Sequence, residues 1–286
     1  MLNAMKGNVF IRLLSFYVCV TVGLFLTELT LSKPLEYYLS PYSEYAVQIA
    51  FRICNLLVLL LFVQQFHKHC DGISLQQTTL LKPVNVRLVF GFGLLGAGLL
   101  SLVALILFAA GITTHSLTTV AIAEILPLVA LLLLAALFEQ ILLNGVLLVS
   151  LMRKIRLEFA LLIAGGFFSY LHLSNDHFSL VGAVNTYLAG CLFGVIFLKT
   201  QSLWPALAFH LCWNVSQSLI WGFNVSGYAF ISLVSTQSAG HPLLTGGNYG
   251  LEGSLVTLAV NAALIWFLFK NTSTPRGREW TLIAPQ

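Results

Sequence analysis

The sequence predicts an all-α fold, a polytopic membrane bundle of about eight transmembrane helices. Composition is the first observation behind this prediction: of 286 residues, 58% are hydrophobic and only 8% are charged, and the mean hydropathy is +0.90. Soluble domains carry about 25% charged residues, so we expect an integral membrane protein. The second observation is the recurrence of long apolar runs, with no polar stretch long enough for a separate soluble domain.

The apolar runs define the predicted spans. A helix needs roughly 20 apolar residues to cross a bilayer core of about 30 Å. By this measure we predict eight spans, at about 9–31, 45–66, 88–110, 121–152, 157–173, 181–198, 203–223 and 255–269. The fourth is over-long and is expected to begin on the membrane surface. The segment 224–254 between the last two spans is expected to be a partly inserted loop, a lid or a plain connector.

Basic residues predict the orientation. If eight spans alternate, 12 of the 14 Lys and Arg residues fall on one side, Lys33 falls on the other, and Arg52 lies within a span. The positive-inside rule then places both termini in the cytoplasm. The net charge of +4 therefore reflects topology, and no nucleic-acid partner is predicted. The 12 residues are Lys6, Arg12, Lys68, Lys82, Arg87, Arg153, Lys154, Arg156, Lys199, Lys270, Arg276 and Arg278.

Four polar side chains fall at a similar depth in three predicted spans. Glu139 lies in the fourth span, within "LFEQILLNGVLL", and His172 lies in the fifth. His210 and Asn214 are one helical turn apart in the seventh. At 1.5 Å per residue, all four lie roughly 16–24 Å from the nearest cytoplasmic basic residue along their helix. We therefore expect three helices to direct them into one cavity.

These side chains have both a structural and a functional interpretation. Individually, a membrane Glu can be protonated or paired, a His can pack, and an Asn can bond two helices. A charge at the bilayer centre costs at least about 2.5–3.5 kcal/mol, which favours a function. Together, the set suits acyl hydrolysis by water: a carboxylate takes the proton, an imidazole orients the water, and a second imidazole with an amide stabilises the oxyanion. Peptide-bond cleavage inside the membrane is the expected reaction.

These residues resemble the CPBP intramembrane peptidases, which include the type II CAAX prenyl endopeptidases and bacteriocin-immunity relatives. The family pattern is Glu-Glu-x-x-x-Arg, then Phe-x-x-x-His, then His-x-x-x-Asn. The second motif here runs from Phe168 to His172 and the third from His210 to Asn214. The likeness covers about 125–255, including the "LTGGNYGLEGS" segment seen in many bacterial members.

The resemblance implies a division of the chain and a location. A peptidase core at 121–255 would follow N-terminal transmembrane helices in 1–120 and precede a last helix and cytoplasmic tail in 256–286. The expected location is a bacterial plasma membrane. The expected partners are a membrane-embedded or membrane-anchored peptide substrate and the lipid bilayer.

The first motif departs from the family pattern. Glu139 stands at the first Glu, but Gln140 replaces the second and Asn144 replaces the Arg. The resemblance implies that Glu139 is the general base, with His172 positioning the water, while His210 and Asn214 hold the oxyanion. Because both members of a potential ion pair are replaced, we expect Gln140 to hydrogen-bond Asn144 as a neutral substitute.

Three alternatives remain open at this point. No cofactor is predicted, because Asn is a poor zinc ligand and a good oxyanion donor; the metal-dependent alternative is a zinc ion held by Glu139, His172 and His210. The altered first motif favours a catalytically silent relative that binds a peptide as an immunity or scaffold protein. A small-molecule transporter is the third alternative, although such folds usually carry an internal repeat, which the sequence does not display.

Overall fold

The computed structural model describes residues 8–40, 43–71 and 84–270, and these residues are mostly helical. Every predicted apolar segment forms a helix, and a four-residue helix, α8, precedes the last one. The helices are α1 (Val9–Leu39), α2 (Glu44–Phe66), α3 (Val86–Ala109), α4 (Ile122–Met152), α5 (Leu157–Leu171), α6 (Leu180–Thr200), α7 (Leu203–Val215), α8 (Pro242–Thr245) and α9 (Leu255–Lys270). Lys6, Lys82, Arg276 and Arg278, which entered the orientation argument, lie outside the described residues.

Within the described residues, five helices are long and apolar enough to cross a membrane: α1, α2, α3, α4 and α6. The chain is therefore a multi-pass membrane protein. Helices α5 and α9 are shorter and apolar, and α7 has 13 residues before a π-helical extension, Ser216–Ile220. The five long apolar helices support a helical membrane bundle. The count of eight spans stays a prediction.

Side-chain caps begin several of these helices. The Asn8 carboxamide accepts a hydrogen bond from the backbone N–H of Phe10 at the start of α1. Asn85 does the same for α3, and Ser179 for α6. Each cap satisfies a backbone donor that a helix leaves unpaired in its first turn, which is why Ser and Asn favour this position. Helix α6 ends at Thr200, and the next residue, Gln201, has a φ of 55° that turns the chain sharply into α7.

A two-stranded antiparallel sheet is the part of the fold that the sequence analysis missed. Strand β1, Thr113–Leu117, pairs with β2, Val234–Ser238, in a register that joins Thr113 to Ser238. The all-α prediction is therefore correct for most of the described chain and wrong for these strands. Both strands are short and rich in Ser and Thr, and they pair across more than 100 residues, so local pattern does not reveal them. The sheet ties the 224–254 segment to the connection between α3 and α4.

Glycines allow the site-bearing helices to approach their neighbours closely. On α6, a Cβ at Gly190 would lie 2.7 Å from the Cβ of Phe168 on α5. On α3, a Cβ at Gly96 would overlap the carbonyl oxygen of Phe209 on α7. Real Cβ contacts are not this short, so both helix pairs pack at distances that exclude a larger residue. The positions of α5 and α7, which carry the predicted histidines, depend on these contacts.

We expect Gly96→Ala to destabilise the bundle, because the neighbouring atom belongs to backbone and cannot rotate away. Overpacking of this kind costs about 1–3 kcal/mol, which should lower the apparent melting temperature in detergent. Gly98→Ala on the same helix is the matched control, since a Cβ there would meet no described atom within 4 Å. That variant should be neutral or slightly more stable, because alanine favours helix over glycine by about 1 kcal/mol. Equal melting temperatures for the two variants would contradict the packing.

Candidate active site

Three of the four predicted catalytic residues line one cavity. His172, His210 and Asn214 face it from α5 and α7 and are almost completely buried. The cavity has a volume of about 40 Å³. About 10–15 Å³ on this measure holds one water molecule, so it has room for a few. The sequence analysis missed the other polar groups that line it, which are Asn185, Thr186, Ser226, Glu252 and Asn261.

Glu139, the fourth predicted residue, lies beside this cavity and contacts His210. Its Oε2 is 3.7 Å from His210 Nε2, and the side chain of Glu139 is 25% exposed where that of His210 is 8% exposed. A separation of 3.7 Å is too long for a direct hydrogen bond. A carboxylate at this distance, with partial exposure, can instead share a water molecule with the imidazole.

The neighbours of His210 determine which of its ring nitrogens carries the proton. The Gln140 amide nitrogen, Nε2, lies 3.4 Å from His210 Nδ1. An amide N–H only donates, so Nδ1 accepts, and in the neutral ring Nε2 bears the hydrogen. The ring also stacks on Phe193, with centroids 4.6 Å apart and planes 23° apart. His210 therefore presents an N–H donor on the side of Glu139.

The expected hydrogen bond between the two altered motif positions is present. Asn144 Nδ2 donates to Gln140 Oε1 at 2.7 Å, and both side chains are fully buried. The pair lies one helical turn apart on α4, where a π-helical segment, Ile141–Leu148, begins directly after Gln140. Segments of this kind occur frequently at functional sites. The neutral pair thus fills the place where the family pattern has two charges.

Phe168 and His172 form the second predicted motif. His172 follows the last residue of α5, and its Nδ1 lies 2.8 Å from the Phe168 carbonyl oxygen. A carbonyl only accepts, so Nδ1 carries hydrogen and Nε2 is the nitrogen left for the cavity. The Phe168 ring lies 4.6 Å from the His172 ring and 6.0 Å from the His210 ring, between centroids. Phe168 therefore orients one imidazole through its backbone and packs against both through its ring.

The predicted residues thus come together from three helices, with one difference in pairing. The contact described for Glu139 is with His210, whereas the resemblance implied that Glu139 acts with His172. His210 interacts electrostatically with both Glu139 and His172. The individual roles inferred from the resemblance stay predictions.

The segment 224–254 packs against the bundle and contributes Ser226 and Glu252 to the cavity lining. Tyr249 and Leu251 are almost fully buried in it. Glu252 accepts hydrogen bonds from the backbone N–H of Ser226 at 2.5 Å and from its hydroxyl at 3.0 Å. Burial raises the pKa of Glu252, and those hydrogen bonds and the charge of His172 oppose the shift. One sequence signal could have found this residue, since Glu252 is the sole acidic residue between 224 and 254.

The described residues contain no group of three or more His, Cys, Asp and Glu side chains that could hold a metal ion. The alternative ligand set of Glu139, His172 and His210 stays a prediction. The geometry that is assembled suits polarisation of a water molecule and donation to an oxyanion.

Comparison with known proteins gives a family match over part of the chain. No curated protein and no solved structure matches the chain. The family described as type II CAAX prenyl endopeptidase Rce1-like matches residues 121–216, which is 96 of the 286 residues. That segment contains Glu139, His172, His210 and Asn214. The resemblance drawn from the motifs is thus confirmed: over residues 121–216 the chain matches the Rce1-like family of type II CAAX prenyl endopeptidases.

Proposed function

We propose that this protein is an intramembrane endopeptidase that hydrolyses a peptide bond with water activated by Glu139. The observation that carries the proposal is the contact of Glu139 with His210. It lies beside a cavity that has room for a few water molecules and is lined by His172 and Asn214. The match to an endopeptidase family over the same residues supports the same reaction class.

The first step of the proposed reaction is attack by water on the scissile carbonyl carbon. Glu139 takes a proton from the water, while His172 Nε2 accepts a hydrogen bond from it and so orients it. The new carbon–oxygen bond moves the carbonyl electron pair onto oxygen. The N–H of His210 and the carboxamide of Asn214 then donate to that oxyanion.

The second step is collapse of the tetrahedral intermediate. The carbonyl re-forms, the carbon–nitrogen bond breaks, and the leaving amine receives the proton that Glu139 holds. No covalent intermediate with the enzyme forms, so neither a Ser nor a Cys nucleophile is required. The products are a carboxylate and an amine on two separate peptides.

The proposal also specifies which helices cross the membrane and on which side the termini lie. Eight apolar helices, α1 to α7 and α9, would cross the bilayer with both termini in the cytoplasm of a bacterial cell, as the distribution of basic residues favours. The substrate would be a membrane-embedded or membrane-anchored peptide, because the four site residues lie on apolar helices. No metal or other cofactor enters the proposed reaction.

A second candidate function is a catalytically silent relative that binds a peptide in the same cavity. The altered first motif favours it, because Gln140 removes a carboxylate and Asn144 a guanidinium that the family pattern places there. Retention of Glu139, His172, His210 and Asn214 favours the enzyme.

Glu139→Gln should abolish cleavage, because the amide has nearly the same shape as the carboxylate but takes no proton from water. We would reconstitute the purified protein in lipid vesicles with a library of single-span peptides and a farnesylated C-terminal peptide, and identify products by mass spectrometry. Products formed by the unaltered protein and lost in Glu139→Gln support the endopeptidase. Identical product sets for the two proteins, including none at all, would overturn it and favour the peptide-binding relative.

The double substitution Gln140→Glu with Asn144→Arg should be tolerated better than either single change. Each single change leaves an unpaired buried charge, at a cost of about 3–5 kcal/mol, whereas the two together form an ion pair at i, i+4 spacing. Apparent melting temperatures of the four proteins in detergent measure the coupling as a double-mutant cycle. Strictly additive losses would contradict the interpretation of Gln140 and Asn144 as a neutral replacement pair.

A further inference from the structure

Glu252 is the acidic residue in the cavity lining that the reaction proposed above does not use. It lies outside the transmembrane helices, in a short 3-10 turn, Leu251–Gly253. Burying a carboxylate is costly unless it is paired and hydrogen-bonded. Glu252 is partly buried and lines the same cavity as His172 and His210, where a carboxylate can act on a neighbouring imidazole.

A chain of hydrogen bonds joins Glu252 to the turn that follows His172. Ser226 donates to the Glu252 carboxylate from both its backbone N–H and its hydroxyl. The Asn175 carboxamide donates to the Ser226 carbonyl oxygen at 3.1 Å. The backbone N–H of Asn175 donates in turn to the His172 carbonyl oxygen at 3.1 Å. The Glu252 carboxylate and the His172 backbone thus belong to one connected network.

Two glycines bring the backbones of this network together. Gly227 has a φ of 93°, and a Cβ there would overlap the carbonyl oxygen of Asp176 in the turn after His172. Gly250 has a φ of 99°, and a Cβ there would overlap the carbonyl oxygen of Asn224. Both conformations strain any other residue, so the loop is shaped to hold Glu252 at this point.

The geometry of His172 leaves one ring nitrogen for a partner in the cavity. Its Nδ1–H donates to the Phe168 carbonyl oxygen, so Nε2 is the nitrogen left to accept a hydrogen bond from water. The Glu252 carboxylate interacts electrostatically with this imidazole. A carboxylate near a catalytic imidazole stabilises the positive charge that the ring gains, which is one of the roles of the Asp in a Ser-His-Asp triad. The ring orientation of His172 itself is set by its Nδ1–H donating to the Phe168 carbonyl oxygen.

We infer that Glu252 is a positioning residue for His172: the carboxylate, presented by the loop 224–254 and joined to the turn after His172 through Ser226 and Asn175, stabilises the partial positive charge that develops as Nε2 accepts a hydrogen bond from the attacking water. The site then contains two carboxylate–imidazole pairs, Glu139 with His210 and Glu252 with His172. The catalytic part of the inference rests on the proposed function, whereas the pairing of Glu252 with His172 does not.

Glu252→Gln separates this role from simple anchoring of the loop. Glutamine keeps an oxygen that can accept both hydrogen bonds from Ser226, and it removes the charge. Ser226→Ala is the matched control, because it removes the hydroxyl hydrogen bond and leaves both the carboxylate and the backbone N–H. Glu139 and His210, the other ionisable groups of the site, are unchanged in both variants.

The first measurement does not need a substrate. Ring nitrogen resonances of the protein labelled with ¹⁵N-histidine, in lipid nanodiscs, report hydrogen bonding and charge at each imidazole, and loss of one signal in His172→Asn assigns that ring. Glu252→Gln should shift the His172 resonances more than those of His210, and Ser226→Ala should shift them less. Unchanged His172 resonances in Glu252→Gln, or an equal shift in Ser226→Ala, would overturn the pairing.

The second measurement uses any peptide that the unaltered protein cleaves. Glu252→Gln should lower kcat roughly tenfold or more while KM stays within about threefold, because the group acts on the transition state and not on peptide binding. Glu252→Asp should recover part of kcat, and Ser226→Ala should retain most of it. An unaffected kcat in Glu252→Gln would overturn the catalytic role, whereas absence of cleavage by the unaltered protein would count against the endopeptidase and leave the resonance result standing.

Discussion

Two amides buried within an apolar helix, Gln140 and Asn144, share one hydrogen bond, and the orientation of the imidazole beside them follows from it. An unpaired buried amide group costs about 1–3 kcal/mol, which favours this bond, although the Asn144 Oδ1 atom has no partner among the described residues. Gln140 gives its oxygen to Asn144, which leaves its N–H₂ group for His210 Nδ1. The Nε2–H of His210 is then directed toward Glu139. The hydrogen bond between Gln140 and Asn144 thereby helps to orient the His210 imidazole, which faces Glu139.

The π-helical segment Ile141–Leu148 lies next to this pair and connects it to the N-terminal helices. The hydroxyl of Tyr17 on α1 donates to the Leu142 carbonyl oxygen at 2.8 Å. A π-helical segment has i→i+5 hydrogen bonds in place of the α-helical pattern, and here the Tyr17 hydroxyl adds a bond from another helix. Helix α1 therefore braces the segment that carries Asn144. This contact explains how helices outside the matched family segment contribute to the geometry within it.

The cavity is completed by a part of the chain that the family match does not include. Residues 121–216 carry the motif residues, whereas Ser226 and Glu252 come from the loop before α9. The antiparallel pairing of β1 with β2 secures one part of this loop, and burial of Tyr249 secures another. The Asn185 carboxamide also donates to the Ser254 carbonyl oxygen at 2.8 Å, which ties the end of the loop to α6. The loop is thus an integral wall of the candidate site.

The sequence alone determined the helical membrane class, the helices that carry Glu139, His172, His210 and Asn214, and the hydrogen bond between Gln140 and Asn144. These properties are local. Composition indicates that the chain lies in lipid, and the length of an apolar run indicates a membrane helix. Spacing of i, i+4 places two side chains on one helix face. Only the tertiary structure decided that Glu139 contacts His210, that β1 pairs with β2, and that Glu252 reaches the cavity. These contacts depend on how closely helices approach at residues such as Gly96 and Gly190, and on loop conformations with positive φ. No periodicity in the sequence encodes them, because they join residues whose separation along the chain bears no relation to their separation in space.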